Sequence, residues 1–269
     1  MEDRWEVLLQ EAMTLAQKEQ YHSAVVVMEK ALQGVQQALG PNHSDVAGIL
    51  NGLANLYCHL GQYTQAESLY RRSLAINEKA LGSDHLDVAM NLNNLAELYR
   101  KERKYAQAEP LYERSLEIRE RALGPNHPDV AESLTNLAEL CWDLVLKTRD
   151  LKLVPQVELL YKRSLAIKEK AFGPDHPKLL PDLTGMGVVY YTRKQYAQAE
   201  ALYKRALEIG EKFYGPSDLH IAPILEVLFN VYQGMKLFHE AVAAKMRADH
   251  IRMDYMLMTR EANETNEDR

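Results

Sequence analysis

Nine residues, ALGPNHPDV from Ala122 to Val130, recur along the chain. Close copies start at Ala38 (ALGPNHSDV), Ala80 (ALGSDHLDV) and Ala171 (AFGPDHPKL), and a degraded one at Phe213 (FYGPSDLHI). Their glycines, Gly40, Gly82, Gly124, Gly173 and Gly215, are spaced 42, 42, 49 and 42 residues apart. A near-constant period of this length marks an array of supersecondary units and outranks any local motif. Two further patterns return between the glycines. NLNNLAELY (Asn91 to Tyr99) has counterparts starting at Ile49, Ser133, Asp182 and Ile224. YAQAEPLYERSLEI (Tyr105 to Ile118) has counterparts starting at Tyr63, Val154 and Tyr196. Leu92, Leu95, Ala96 and Tyr99 follow helical spacing, as do Ala108, Leu111, Tyr112 and Ser115. Each unit therefore reads as two helices, A and B. A short turn joins A to B, and the glycine loop joins B to the next A.

The loop reads as punctuation. Gly124 suits a left-handed residue just past a helix end. Pro125 and Pro128 stop the helix from running on, and Asp129 is expected as an N-cap or first-turn acid. His43, His85, His127 and His176 fall in successive units, about 10 Å apart if helices stack, too far to share one metal ion. The loop has neither the glycines nor the lysine of a phosphate cradle. No catalytic motif occurs, and no cofactor or metal is expected.

The pattern Leu92, Leu95, Ala96, Tyr99, Tyr105, Ala108, Tyr112, Ser115 resembles the tetratricopeptide repeat, lengthened from 34 to 42 residues as in the repeats of kinesin light chains. The similarity covers roughly residues 5 to 245 and is carried by NNLAELY, AEPLYERSLEIRERALGPNHPDVA and AEALYKRALEI. It implies an all-α, right-handed superhelical solenoid of about six helix pairs, at 5–45, 46–87, 88–129, 130–178, 179–220 and 221–259. The array is expected to span 1–259, with a disordered acidic tail at 260–269. The long heptad coiled coil of a kinesin light chain is missing, so a peptide-binding array is implied rather than a motor subunit.

In such arrays helix A lines the concave face. The resemblance then places Asn51, Asn55, Asn93, Asn94, Glu97, Arg100, Lys101, Thr135, Asn136, Glu139 and Asn230 in a groove. Asparagine carries a donor and an acceptor and can pair with the backbone of an extended peptide. Arg100 and Lys101 can take carboxylates. In the resembled family, the asparagine before Leu-Ala and nearby basic residues hold short peptides with an aromatic among acids; the matching residues are Asn94 and Asn136. Gly52 and Gly185 occupy the equivalent position in units 2 and 5, so an asparagine ladder would be short.

Unit 4 is seven residues longer than its neighbours, with Trp142 to Leu153 in place of Arg100 to Lys104. Seven residues are about two helical turns, so helices A and B are each expected to gain one. The insertion reads either as a neutral length variation or as a partner surface built on Trp142, Leu144 and Leu146. Lys30, Arg72, Arg114, Arg163 and Arg205 repeat on helix B. They are expected to pair within or between units, with Glu67, Glu109, Glu158 and Glu200 repeating at the same period.

With 38 acidic against 32 basic residues, nucleic acid is not expected as a partner. No apolar run approaches the roughly 18 residues of a membrane span. Two cysteines, Cys58 and Cys141, make no disulfide framework and suit a reducing, cytoplasmic setting. The sequence thus reads as a non-catalytic adaptor binding a partner's peptide, as a monomer or weak homodimer. The alternative is a scaffold assembling through the last unit or the 142–153 insertion.

Overall fold

The computed structural model describes residues 4–267, the side chains at 4, 258 and 260–267 excepted. The described residues form twelve α-helices and no strand. The A helices are α1 (Arg4–Gln17), α3 (Ser44–His59), α5 (Leu86–Lys101), α7 (Pro128–Thr148), α9 (Leu180–Thr192) and α11 (Ala222–Gly234). The B helices are α2 (Tyr21–Leu39), α4 (Tyr63–Leu81), α6 (Tyr105–Leu123), α8 (Val154–Phe172), α10 (Tyr196–Tyr214) and α12 (Phe238–Glu267). The chain divides into two compact units at Leu140 and Cys141, inside α7.

The glycine loop works as punctuation, with one change of role. Gly40, Gly82, Gly124, Gly173 and Gly215 take φ of +84° to +102°, and their N–H groups bond back into the last turn of helix B. The N-cap is the histidine, not the aspartate: Nδ1 of His43, His85, His127 and His176 accepts from the backbone N–H two residues on, at 3.2 Å. Asp45, Asp87 and Asp129 occupy the first turn, beside the positive end of the helix dipole. The degraded fifth loop keeps the cap by other means, for Asp218 Oδ1 accepts from the His220 N–H at 2.9 Å.

The A–B turns each place one residue in the left-handed region. Gly61 does so freely, whereas Glu19, Arg103, Arg149, Lys194 and Lys236 do so at φ of +58° to +61°. An L-residue there carries a steric cost of about 1 kcal/mol that glycine avoids. Arg103→Gly is expected to raise the thermal midpoint by about 2 °C, read by calorimetry.

Within the first unit, Leu92, Leu95, Ala96 and Tyr99 of α5 are buried, as are Ala108, Tyr112, Ser115 and Ile118 of α6. The junction between successive repeats has its own three-residue set, two from helix B and one from the next helix A. It is apolar at the ends of the array: Ala31, Val35 and Ile49, then Ala206, Gly210 and Ile224. Between them it is polar and buried. Asn91 Nδ2 donates to Ser73 Oγ at 2.6 Å, and Asn77 Nδ2 donates to Asn91 Oδ1 at 2.8 Å. One repeat on, Arg119 donates to Ser133 Oγ at 2.9 Å and to the Asp129 carbonyl at 3.0 Å. In the second unit, Lys168 Nζ lies 2.7 Å from Asp182 Oδ2, with side chains 8% and 0% exposed, and Ser164 Oγ lies 3.0 Å from the same oxygen.

Two of the repeated basic residues of helix B, Arg114 and Arg205, bridge units, and they do so with a different acidic series from Glu67, Glu109, Glu158 and Glu200. Arg114 pairs with Glu78 at 2.8 Å and Arg205 with Glu169 at 2.6 Å. Arg247 pairs with Glu211 at 2.5 Å. Each also reaches a carbonyl of the preceding glycine loop, Ser83, Pro174 or Pro216. Glu67 and Glu158 instead accept from tyrosines ending the next helix A, Tyr99 at 2.8 Å and Tyr190 at 3.1 Å.

The extra seven residues of unit 4 do not divide between two helices. α7 has 21 residues where α5 has 16, and α8 keeps the 19 of α6. The remaining two lengthen the connection, which closes with a one-turn 310 helix at Leu151–Leu153 capped by Asp150. Pro155 near the start of α8 and the conserved length of its apolar face leave helix A as the element free to grow. α12 runs 30 residues, well past the 19 of α10. The backbone of 260–267, where a disordered tail is expected, continues α12, while the side chains of 260–267 and all of 268–269 lie outside the described residues.

Candidate functional site

In the first unit, α3, α5 and α7 line up their exposed faces around a polar pocket of about 260 Å³. Its wall includes Asn55, Cys58, Tyr70, Asn93, Asn94, Glu97, Arg100, Lys101, Glu132, Asn136 and Glu139. Helical geometry accounts for the convergence: residues i, i+4 and i+7 share one face. Glu132, Asn136 and Glu139 are so spaced on α7, and Asn94 and Lys101 flank Glu97 on α5.

The asparagines occupy two layers. Asn51 and Asn93 stand one position, about 100°, before the groove line. That rotation buries them to 6% and 7% exposure. They are not free groove donors but acceptors for the next repeat: Asn94 Nδ2 donates to Asn51 Oδ1 at 3.1 Å, and Asn136 Nδ2 donates to Asn93 Oδ1 at 2.8 Å. Thr135, at the same angular position, is likewise buried and bonds the Ala131 carbonyl. Asn94 and Asn136 each use one amide N–H in this way and stay half-buried at the pocket wall.

The B helices supply the floor. The Tyr70 hydroxyl reaches between helices to donate to Asn55 Oδ1, and Tyr112 donates to Glu97 Oε2 at 2.7 Å. Burial pushes both phenols well above the ordinary tyrosine range, with Cys58 adding to the shift at Tyr70 and Glu97 at Tyr112. They remain neutral donors at any physiological pH. Cys58 Sγ lies 3.8 Å from the Tyr70 oxygen, and burial raises its thiol above the free value. It is a groove wall, not an activated nucleophile.

Arg100 is committed within the site. Its Nε and Nη2 bind Glu97 at 2.9 and 3.1 Å, and the same Nη2 lies 3.0 Å from Glu139. Burial alone would lower its pKa, but the two carboxylates outweigh it and hold the guanidinium above its ordinary range. Arg100 thereby ties α5 to α7. Lys101 is exposed and reaches Glu97 only at 3.9 Å.

The pocket thus gathers Asn55, Asn93, Asn94, Arg100, Lys101 and Asn136, with Asn51 beneath it. Asn230 is exposed on α11 in the second unit and belongs to no such cluster. The asparagine position is filled differently in that unit. A Cβ on Gly185 would lie 2.3 Å from the Tyr161 ring, so the ring occupies the volume an asparagine would need. Gly187 likewise admits the ring of Tyr203, 2.5 Å from its would-be Cβ. Of the insertion residues, Trp142 and Leu144 are half-buried and Leu146 is 51% exposed. Glu132 and Tyr70 are pocket residues that sequence reasoning missed. The i, i+4, i+7 spacing of Glu132 with Asn136 and Glu139 was a signal for the first; Tyr70 reads as core in any periodicity.

Among the described residues no group of three or more His, Cys, Asp or Glu is placed to hold a metal ion, and no helix is long and apolar enough to cross a membrane.

The family model described as tetratricopeptide repeat matches residues 45–119, 87–144, 160–212 and 182–248, and a second model of the same description matches 12–45. No curated protein matches the chain significantly. Among solved structures, BtubC (BKLC) from P. vanneervenii is similar at 22% identity over 88% of this chain and 91% of that one, with a TM-score of 0.72. A Podospora anserina protein with nearly identical TPR-like repeats of kinesin light chain type gives 24% identity, 79% and 98% coverage and a TM-score of 0.62. PilF of Pseudomonas aeruginosa gives 16% identity, 96% and 97% coverage and a TM-score of 0.62. At these identities the likeness is one of fold, and it extends well beyond the kinesin-light-chain group. Matches that together run from residue 12 to 248 and a helix pair in every unit settle the family: the chain belongs to the tetratricopeptide repeat proteins.

Proposed function

We propose that this protein is a non-catalytic adaptor that holds an extended peptide of a partner protein in the groove of α3, α5 and α7. Protein–protein interaction is the role of its repeat family. The observation that carries the groove reading is the two-layer asparagine arrangement. Asn51 and Asn93 fix the amide planes of Asn94 and Asn136. Each of these then offers a carbonyl oxygen and a second N–H to a ligand. That pair matches the N–H and C=O of one peptide unit, whatever its side chain. Fixing the amides beforehand lowers the entropy lost on binding. Asn55, Lys101 and the exposed edge of Cys58 border the same volume.

The competing scaffold reading draws on the exposed apolar residues of α12, Met246, Met253, Met256 and Leu257, and on Leu146 of the insertion. The arrangement of α12 argues against extension from its edge. Met253 stands where Glu78, Glu169 and Glu211 serve the arginine of a following repeat. Lys245, Asp249 and Arg252 form a charged cluster with Glu226 there. Charged outer faces of this kind end an array. The chain is accordingly proposed to be monomeric.

A peptide-display selection against the whole chain, counter-screened with Asn94→Ala/Asn136→Ala, tests the groove. A shared motif retained by the parent and lost on the variant is expected. A motif held equally by both would move the site elsewhere.

A further inference from the structure

The charge of the groove says more about its ligand than the asparagines do. Glu97 and Glu139 are both tied to Arg100, the central cation. A ligand carboxylate would have to displace one of them to reach it. Glu132 is exposed on the same face of α7 as Asn136 and Glu139, and among the described residues it forms no ion pair. Among the described residues of the wall, Lys101 is the remaining cation, drawn toward Glu97. The wall thus carries three carboxylates, Glu97, Glu132 and Glu139, against Arg100 and Lys101. The chain as a whole carries −6, so the long-range field also repels acidic segments.

Resting on the groove reading above, we infer that the ligand is a basic peptide: an extended segment that sets a lysine or arginine side chain against Glu132 while Asn136 holds its backbone. Asn136 and Glu132 are one helical turn apart on α7, about 6 Å along its axis. A side chain of that length, leaving a backbone held at Asn136, reaches the carboxylate. The expectation from resemblance alone, an acidic peptide, is reversed, because the arginine that would receive the acid is already neutralised within the site.

The test uses nine-residue degenerate peptide pools, each fixed at its central position as Lys, Arg, Glu, Asp or Gln. Retention is measured on the immobilised full chain. The Lys and Arg pools are expected to be retained about five- to tenfold better than the Glu and Asp pools. Glu132→Gln, a change at an exposed position, is expected to cut that preference by about two- to fivefold. Glu132→Lys should abolish it. Asn94→Ala/Asn136→Ala should lower retention of every pool.

Acidic or neutral pools that win, with retention still dependent on the asparagines, would overturn the basic ligand and leave the groove reading standing. A Lys and Arg preference untouched by Glu132→Gln would also overturn it, as attraction to the net charge alone. Loss of retention for no pool in the asparagine variant, or no retention at all by the parent, would overturn both.

Discussion

Replacing Lys168 with methionine is expected to destabilise the protein by about 3–5 kcal/mol, the largest effect of any single substitution considered. Lys168 and Asp182 lie 2.7 Å apart with side chains 8% and 0% exposed. Removing the ammonium leaves a carboxylate buried beside Ser164, whose hydroxyl cannot replace a charge. Taking both charges out of water is itself costly, so the pair contributes little net stability over an apolar one. The double variant Lys168→Met/Asp182→Leu is therefore expected to recover most or all of the loss. The junctions at the two ends of the array, Ala31–Val35–Ile49 and Ala206–Gly210–Ile224, already use the apolar solution. Urea unfolding of the two variants and the parent reads both numbers. A Lys168→Met protein as stable as the parent would mean that the pair is open to solvent.

The second large effect is functional. In Asn94→Ala/Asn136→Ala, affinity for a groove peptide is expected to fall by at least about 30-fold. Each asparagine supplies two hydrogen bonds to a backbone, worth about 0.5–1.5 kcal/mol net apiece, and tenfold is about 1.4 kcal/mol. The variant also leaves Asn51 and Asn93 without the donors that Asn94 and Asn136 supply. Asn51 keeps a longer contact from Asn91 at 3.4 Å. Some loss of stability will thus accompany the loss of binding. Lys101→Ala separates the two effects, since Lys101 is exposed at the pocket wall and lies 3.9 Å from Glu97. Titration of a selected peptide against the three proteins gives the comparison.

The fold was legible because one constraint repeats. A left-handed glycine every 42 or 49 residues, with Leu-Ala and Tyr-Ala spacings between, leaves only paired helices as a solution. What could not be read depends on a rotation of one residue or on the choice between like groups. Asn93 and Asn94 are neighbours in sequence, yet about 100° on the helix separates a buried acceptor from a groove donor. Aspartate is the common cap, but the geometry of the loop brings the histidine Nδ1 to the helix N–H first. Glu78 and Glu67 have the same period, and only the stacking of helices selects the former for Arg114. Seven extra residues fit several divisions between helices, and nothing in their pattern assigns them to α7. The commitment of Arg100 to Glu97 and Glu139 is likewise a property of packed helices. It changes the expected ligand from acidic to basic without changing a residue.

The most direct test of the groove is its own thiol. Cys58 is half-buried at the pocket wall, while Cys141 is buried at 2% exposure. Alkylation by iodoacetamide at pH 8, followed by mass spectrometry, reports Cys58 in the whole protein. A saturating peptide selected on the chain is predicted to slow its modification at least about tenfold, as burial of a thiol by a bound ligand requires. Modification at an unchanged rate, with the peptide demonstrably bound, would place the binding site outside α3, α5 and α7.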